Sequence, residues 1–124
     1  MIRLLIVADE HPAKYGLQMR LSAESDLAVV GDAPDCEAAL GAAECHLPDV
    51  TLVDIDVVRP NDTRSTLSFQ TLCRMTPVIM LALHDDAWVR KAIERASVAA
   101  LVDKLAPVET LLTTIRQVAQ GGVN

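Results

Sequence analysis

The chain has 124 residues, 51% of them apolar, and a formal charge of -6 from 11 basic and 17 acidic side chains. That length suits one domain with a core of its own, and the acidic balance argues against a direct grip on phosphate backbones or anionic lipid. Cys36, Cys45 and Cys73 form an odd set with no C-x-x-C pair, so neither a disulfide framework nor a structural zinc site is indicated and reduced thiols are expected.

The opening, MIRLLIVADEHP, carries a short apolar run from Ile2 to Ala8 that stops at Asp9 and Glu10. It is too short for a signal-peptide core with its cleavage site or for a bilayer span, so a cytoplasmic protein without a membrane segment is expected. Pro12 suits a first helical turn, and Leu17 and Leu21 continue it with a weak helical spacing. Leu27 to Gly31 reads as a second strand, and Cys36, Ala39, Leu40 and Ala43 as the inner face of a second helix. The third run, Val50 to Ile55, is β-branched and apolar but carries Asp54, with Asp56 just beyond it. A third helix is placed within Thr63 to Met75, although TRSTLSFQT is dense in residues that compete with the helical backbone. Pro77 to Leu83 predicts a fourth strand; Asp85 and Asp86 suit the start of a fourth helix through Val89, Ala92, Ile93 and Ala96. Ala99 to Val102 predicts the last strand. Pro107 and Glu109 then open a helix marked by Val108, Leu111, Leu112, Ile115, Val118 and Ala119, and Gly121 and Gly122 close it.

Runs that are apolar throughout, rather than at alternate positions, imply strands buried on both faces. Their alternation with helical segments implies an α/β domain: a parallel sheet covered by helices, with right-handed crossovers. Ligands of such sheets sit at the carboxyl ends of the strands. There the sequence places Asp9 and Glu10, then Asp54, then Asp103 and Lys104. If the first, third and fifth strands lie side by side, three carboxylates and one ammonium converge on a single crevice. Two bare carboxylates about 4 Å apart repel by roughly 4 kcal/mol at an effective dielectric near 20. A divalent cation would offset this, and oxygen donors suit Mg²⁺. With Lys104 neutralising a phosphate, the set matches the needs of phosphoryl transfer, in which Asp54 would be the nucleophile and become an aspartyl phosphate.

LLIVADEHP, PDVTLVDID, TPVIMLALHDD and LVDKLAPVETLLTTIRQVAQGG, in this order and at these intervals, resemble the receiver domain of two-component response regulators, particularly the NarL/FixJ (LuxR-type) kind. The resemblance covers essentially the whole chain as one receiver domain, 1–124. It implies a flavodoxin-like (βα)5 three-layer sandwich with strand order 2-1-3-4-5, phosphorylated by a sensor histidine kinase. By position it assigns Asp9 and Glu10 to the metal-binding acidic pair and Asp54 to the phosphoacceptor. Asp56 would lend a backbone carbonyl to the Mg²⁺, and Lys104 would be the pocket lysine. The tail resembles the stretch that leads to a helix-turn-helix output domain, so DNA would be bound only through residues absent from this chain. A homodimer is the implied assembly.

The chain departs from the pattern at two switch positions. Ala82 stands where such receivers carry Thr or Ser, and Leu101 where they carry Tyr or Phe. Pro60 lies six residues after Asp54 rather than four, which leaves open both the Asp56 carbonyl and the start of the third helix. Two other functions compete. One is a phosphorylation-independent pseudo-receiver that binds a protein partner. The other is a D-x-D phosphohydrolase with Asp54 as nucleophile and Asp56 as general acid, for which the chain after Asp54 is short. Among the remaining polar residues, Asp103 is expected to point away from the crevice, and His11, His46 and His84 to be surface or loop residues. Trp88 is expected to pack or to meet a partner.

Overall fold

The apolar runs fold as strands and the segments between them as helices, in strict alternation. They are β1 (Ile2–Val7), α1 (Pro12–Ser22), β2 (Leu27–Ala33), α2 (Cys36–His46), β3 (Val50–Asp54), α3 (Thr63–Met75), β4 (Val78–Ala82), α4 (Ala87–Arg95), β5 (Ala100–Asp103) and α5 (Val108–Ala119), with a 3-10 turn over Ile55–Val57. This computed structural model describes residues 1–83 and 87–121, apart from the side chains of Trp88 and Ala92. His84, Asp85, Asp86 and Gly122, named above, lie outside the described residues, as does the Trp88 side chain.

All strand pairs are parallel and the order is β2-β1-β3-β4-β5, the flavodoxin-like (βα)5 sandwich. Successive side chains on a strand face opposite ways, so each central strand feeds two cores. Leu5, Val7, Val53 and Met80 pack with Ala39, Phe69, Leu72 and Val89 of α2, α3 and α4. Leu4, Ile6, Leu52 and Ile79 pack with Leu21 of α1 and Leu111, Leu112 and Ile115 of α5. Burial on both faces holds for β1, β3 and β4; the edge strands β2 and β5 are partly open to solvent.

The element limits differ from the sequence-based expectations where hydrogen bonds outrank hydropathy. The β2 strand runs on through Asp32 to Ala33 because β1 pairs with it as far as Val7↔Ala33. Ile55 leaves β3 because the Asp54 side chain accepts from the Asp56 N–H and turns the chain. The third helix does begin at Thr63: Asp62 caps it, accepting from the Arg64 and Ser65 N–H groups. Its Ser and Thr hydroxyls find local acceptors, as Thr71 Oγ1 does in donating to the Leu67 carbonyl.

The cysteines are free thiols. Burial pushes both Cys36 and Cys73 up to about 12, far from reactivity. Among the described residues no helix is long and apolar enough to cross a membrane.

Candidate functional site

The carboxyl rim of the sheet is built around the end of β3. Asp54 is the last residue of that strand, and its carboxylate is 14% exposed. Its Oδ1 accepts from the Asp56 N–H at 2.9 Å and lies 2.6 Å from Lys104 Nζ. The same ammonium donates to Asp56 Oδ2 at 3.1 Å. Asp56 thus enters the site through its side chain, in an ion pair that sequence reasoning had not assigned to it. Burial pulls the Lys104 pKa down, but the hydrogen bonds and charges of Asp54 and Asp56 outweigh it and leave the pKa raised. The lysine stays an ammonium across the neutral range. Among the described residues nothing donates to Asp54 Oδ2, so one carboxylate oxygen is anchored and the other is available.

The first, third and fifth strands are not all neighbours, because β4 separates β3 from β5. Lys104 converges on Asp54 nonetheless. Its backbone N–H donates to the Ala82 carbonyl at 2.9 Å, holding it at the rim. From there its four-carbon stem is long enough to pass over one strand, a step of about 4.8 Å.

The acidic pair after β1 is placed differently. Glu10 faces α1: its Oε1 accepts from Lys14 Nζ at 3.0 Å and its Oε2 from the Tyr15 hydroxyl. These bonds, Tyr15 first and Lys14 next, hold the Glu10 carboxyl below its usual range, and the Tyr15 phenol is raised in return. Asp9 is exposed and lines a polar cleft of about 320 Å³ with Asp35, Val57 and Arg59. Asp54, Lys104, His11 and Lys14 line a second, more apolar cleft of about 250 Å³. The structure therefore joins Asp54, Asp56 and Lys104 in one set of ion pairs, while Glu10 is paired with α1 and Asp9 borders the polar cleft.

Sequence reasoning missed Lys14. Its spacing with Leu17 and Leu21 puts it on the inward stripe of α1, and that pattern was the available signal. Asp103 accepts from the Leu105 N–H and borders the apolar cleft without joining the ion pairs at Asp54. His11 is the N-cap residue of α1, without a side-chain cap hydrogen bond. Ala82 is buried at the end of β4, and Leu101 on β5 is 39% exposed.

Asp9, Glu10, Asp54 and the Asp56 carbonyl are all hard oxygen donors, a set chemically suited to Mg²⁺. Among the described residues, however, no group of three or more acids, histidines or cysteines is arranged to hold a metal. The donor chemistry fits, and to join such a site Glu10 would have to exchange its partners on α1 for the cation.

A parallel 2-1-3-4-5 sheet with helices on both faces and its polar groups at the carboxyl rim defines a flavodoxin-like α/β domain. No family model matches the chain. It is 27% identical over 121 residues to the transcriptional regulatory protein DegU of Brevibacillus brevis, covering 98% of the chain and 51% of that protein. It is 30% identical over 100 residues to a NarL transcriptional regulatory protein of Mycobacterium tuberculosis, covering 79% of the chain and 46% of the relative. The solved signal receiver domain of NarL from Mycobacterium tuberculosis superimposes with a TM-score of 0.78 at 27% identity, over 97% of each chain. The chain belongs to the receiver domains of two-component response regulators, in the NarL/FixJ (LuxR-type) subfamily. It spans about half the length of the curated relatives it matches.

Proposed function

We propose that this receiver domain takes a phosphoryl group on Asp54, with Mg²⁺ at the same rim, and so controls a transcriptional output. The observation that carries this reading is the contact of Lys104 Nζ with Asp54 Oδ1 at 2.6 Å, at the carboxyl end of the central strand. The available Oδ2 attacks phosphorus in line with the leaving group. A carboxylate–phosphorus bond forms, the bond from phosphorus to the donor breaks, and the donor atom keeps the electron pair. Lys104, already at the nucleophile, can turn its ammonium from Asp56 to a phosphoryl oxygen. Asp9, Glu10, Asp54 and the Asp56 carbonyl are the groups that would hold the cation, which would supply further charge neutralisation to the phosphoryl oxygens.

The natural donor would be the phosphohistidine of a sensor kinase. The relatives named above are transcriptional regulatory proteins of about twice the matched length. Their length supports a view of residues 1–124 as the receiver of a longer regulator that reaches DNA through a separate output domain.

Ala82 and Leu101 favour a second reading. Neither position carries the hydroxyl or the aromatic ring that would report the phosphoryl group, so the domain could instead act as a pseudo-receiver that binds a partner protein. One experiment decides between them. Incubation with acetyl phosphate and Mg²⁺ should add one phosphoryl mass to the wild-type chain and none to Asp54→Asn. A wild-type chain that stays unmodified would rule out the phosphoacceptor reading and leave the pseudo-receiver.

A further inference from the structure

The inward stripe of α1 begins with a lysine, and Lys14 has a side chain that is 0% exposed. A charge so enclosed needs partners on every side. Its ammonium has three protons to place. It donates to Glu10 Oε1 at 3.0 Å and to the Ala33 carbonyl at 3.4 Å, and it lies 3.8 Å from Asp32 Oδ2. Asp32 is itself steadied by the Gln18 amide at 2.8 Å. The ammonium is therefore seated between the end of β2 and the turn that leads into α1.

The two partners of the main ion pair differ in a way that matters. Glu10 is 54% exposed and could turn to solvent or to a cation at little cost. Lys14 has no such freedom, and a buried ammonium that loses its carboxylate is heavily penalised. Tyr15 fastens the other Glu10 oxygen from the next position on the same helix. Both oxygens of one prospective metal ligand are thus held by α1. This contact is distinct from the Lys104 contact with Asp54, although Lys14, Asp54 and Lys104 border the same cleft.

We infer that Lys14 is a built-in counterion that holds Glu10 out of the cation site, so that a divalent cation must compete with a buried ammonium for this carboxylate. The inference rests on the reading of the rim as a Mg²⁺ site and adds its regulator: Lys14 sets how much cation the site takes up. A carboxylate neutralised from within attracts a dication less, and the cation gains Glu10 only by leaving the buried Lys14 with Asp32 and the Ala33 carbonyl as its remaining partners. Lys14 is a positioning residue, acting through Glu10 rather than on the phosphoryl group.

The test is a calorimetric titration of MgCl₂ into the full chain, for the wild type, Lys14→Met, Lys14→Arg and the double variant Lys14→Met/Glu10→Gln. Methionine fills the buried stem's volume without a charge, so the single variant should fold. It should bind Mg²⁺ more tightly than the wild type, by about tenfold, because Glu10 no longer has a buried ammonium to give up. Lys14→Arg should stay near the wild type, and the gain should vanish in the double variant. Equal or weaker binding by Lys14→Met overturns the role of Lys14 while leaving the cation site standing. A gain that survives in the double variant also overturns it, because the effect would then be general charge rather than release of Glu10. No binding by any variant overturns both the inference and the cation-site reading. Should Lys14→Met fail to fold, Tyr15→Phe loosens Glu10 from its other side at a half-exposed position, and unchanged affinity there counts against the inference.

Discussion

Thr51 shows how a single polar residue is tolerated in the most enclosed strand. It sits on β3 with no exposure, and its hydroxyl meets that of Thr76, itself buried, at 3.1 Å. A buried hydroxyl without a partner costs about 1–3 kcal/mol, whereas replacing both members of a pair by apolar groups is nearly neutral. Thr51→Val should therefore lower stability by about 1–2 kcal/mol by orphaning Thr76, and Thr51→Val/Thr76→Val should recover most of it. Urea titration of these two variants and of Thr76→Val checks this; a double variant as unstable as the sum of the singles would mean that the hydroxyls are not coupled. The same contrast between written and through-space information holds at the rim. Asp54 could be found in the sequence because an acid ending an apolar strand stands out locally. Lys14 escaped notice because a lysine between Ala13 and Tyr15 looks like a solvated helix residue until its burial is seen.

At the scale of elements, α5 was legible from its unbroken apolar stripe, which the structure buries through Leu111, Leu112, Ile115 and Val118. How α5 is tied to the rest of the chain was not legible, because the tie is a set of ion pairs distant in sequence. Arg116 donates through Nε to Asp26 Oδ2 at 2.9 Å and through an amino group to Glu24 Oε1 and Asp26 Oδ1, both at 2.9 Å. These bonds pin α5 to the turn between α1 and β2. Hydrogen bonding from Arg116 is the largest cause holding Asp26 and Glu24 below their usual range, with Arg20 adding to Glu24. Carboxyls lowered by folding stabilise the fold above their unfolded pKa, roughly 4, and lose that contribution as pH falls through the lower folded values. Arg116→Met should accordingly lower the melting temperature at pH 7 and at pH 5, with the gap from wild type closing below about pH 4. Added salt should narrow the gap at neutral pH, since these groups face solvent. A gap that persists in acid would assign the effect to packing of the arginine stem instead.

Over the whole molecule, one five-stranded sheet serves two hydrophobic cores, so neither face can come apart without exposing strands that the other face needs. Leu72 lies in one core and Ile115 in the other, and both are fully enclosed. Leu72→Ala and Ile115→Ala should each cost about 2–5 kcal/mol, a large share of the roughly 5–15 kcal/mol that holds a typical domain together. Each should lower the urea midpoint without changing the slope of the transition. A biphasic transition in either variant would show that the two faces unfold independently.

The order of strands and helices was determined by the sequence alone, because hydropathic period is a property of neighbouring residues and every apolar run carries its own signature. So was the place of Asp54 at the end of the third strand, where its charge interrupts such a run. Tertiary structure decided which acid each lysine holds. Lys104 crosses over β4 to reach both Asp54 and Asp56, and Lys14 is enclosed with Glu10 and Asp32. Long charged side chains have several acids within reach of their sequence neighbourhood. The choice among them follows from burial and from distances between elements, which exist only once the chain has folded.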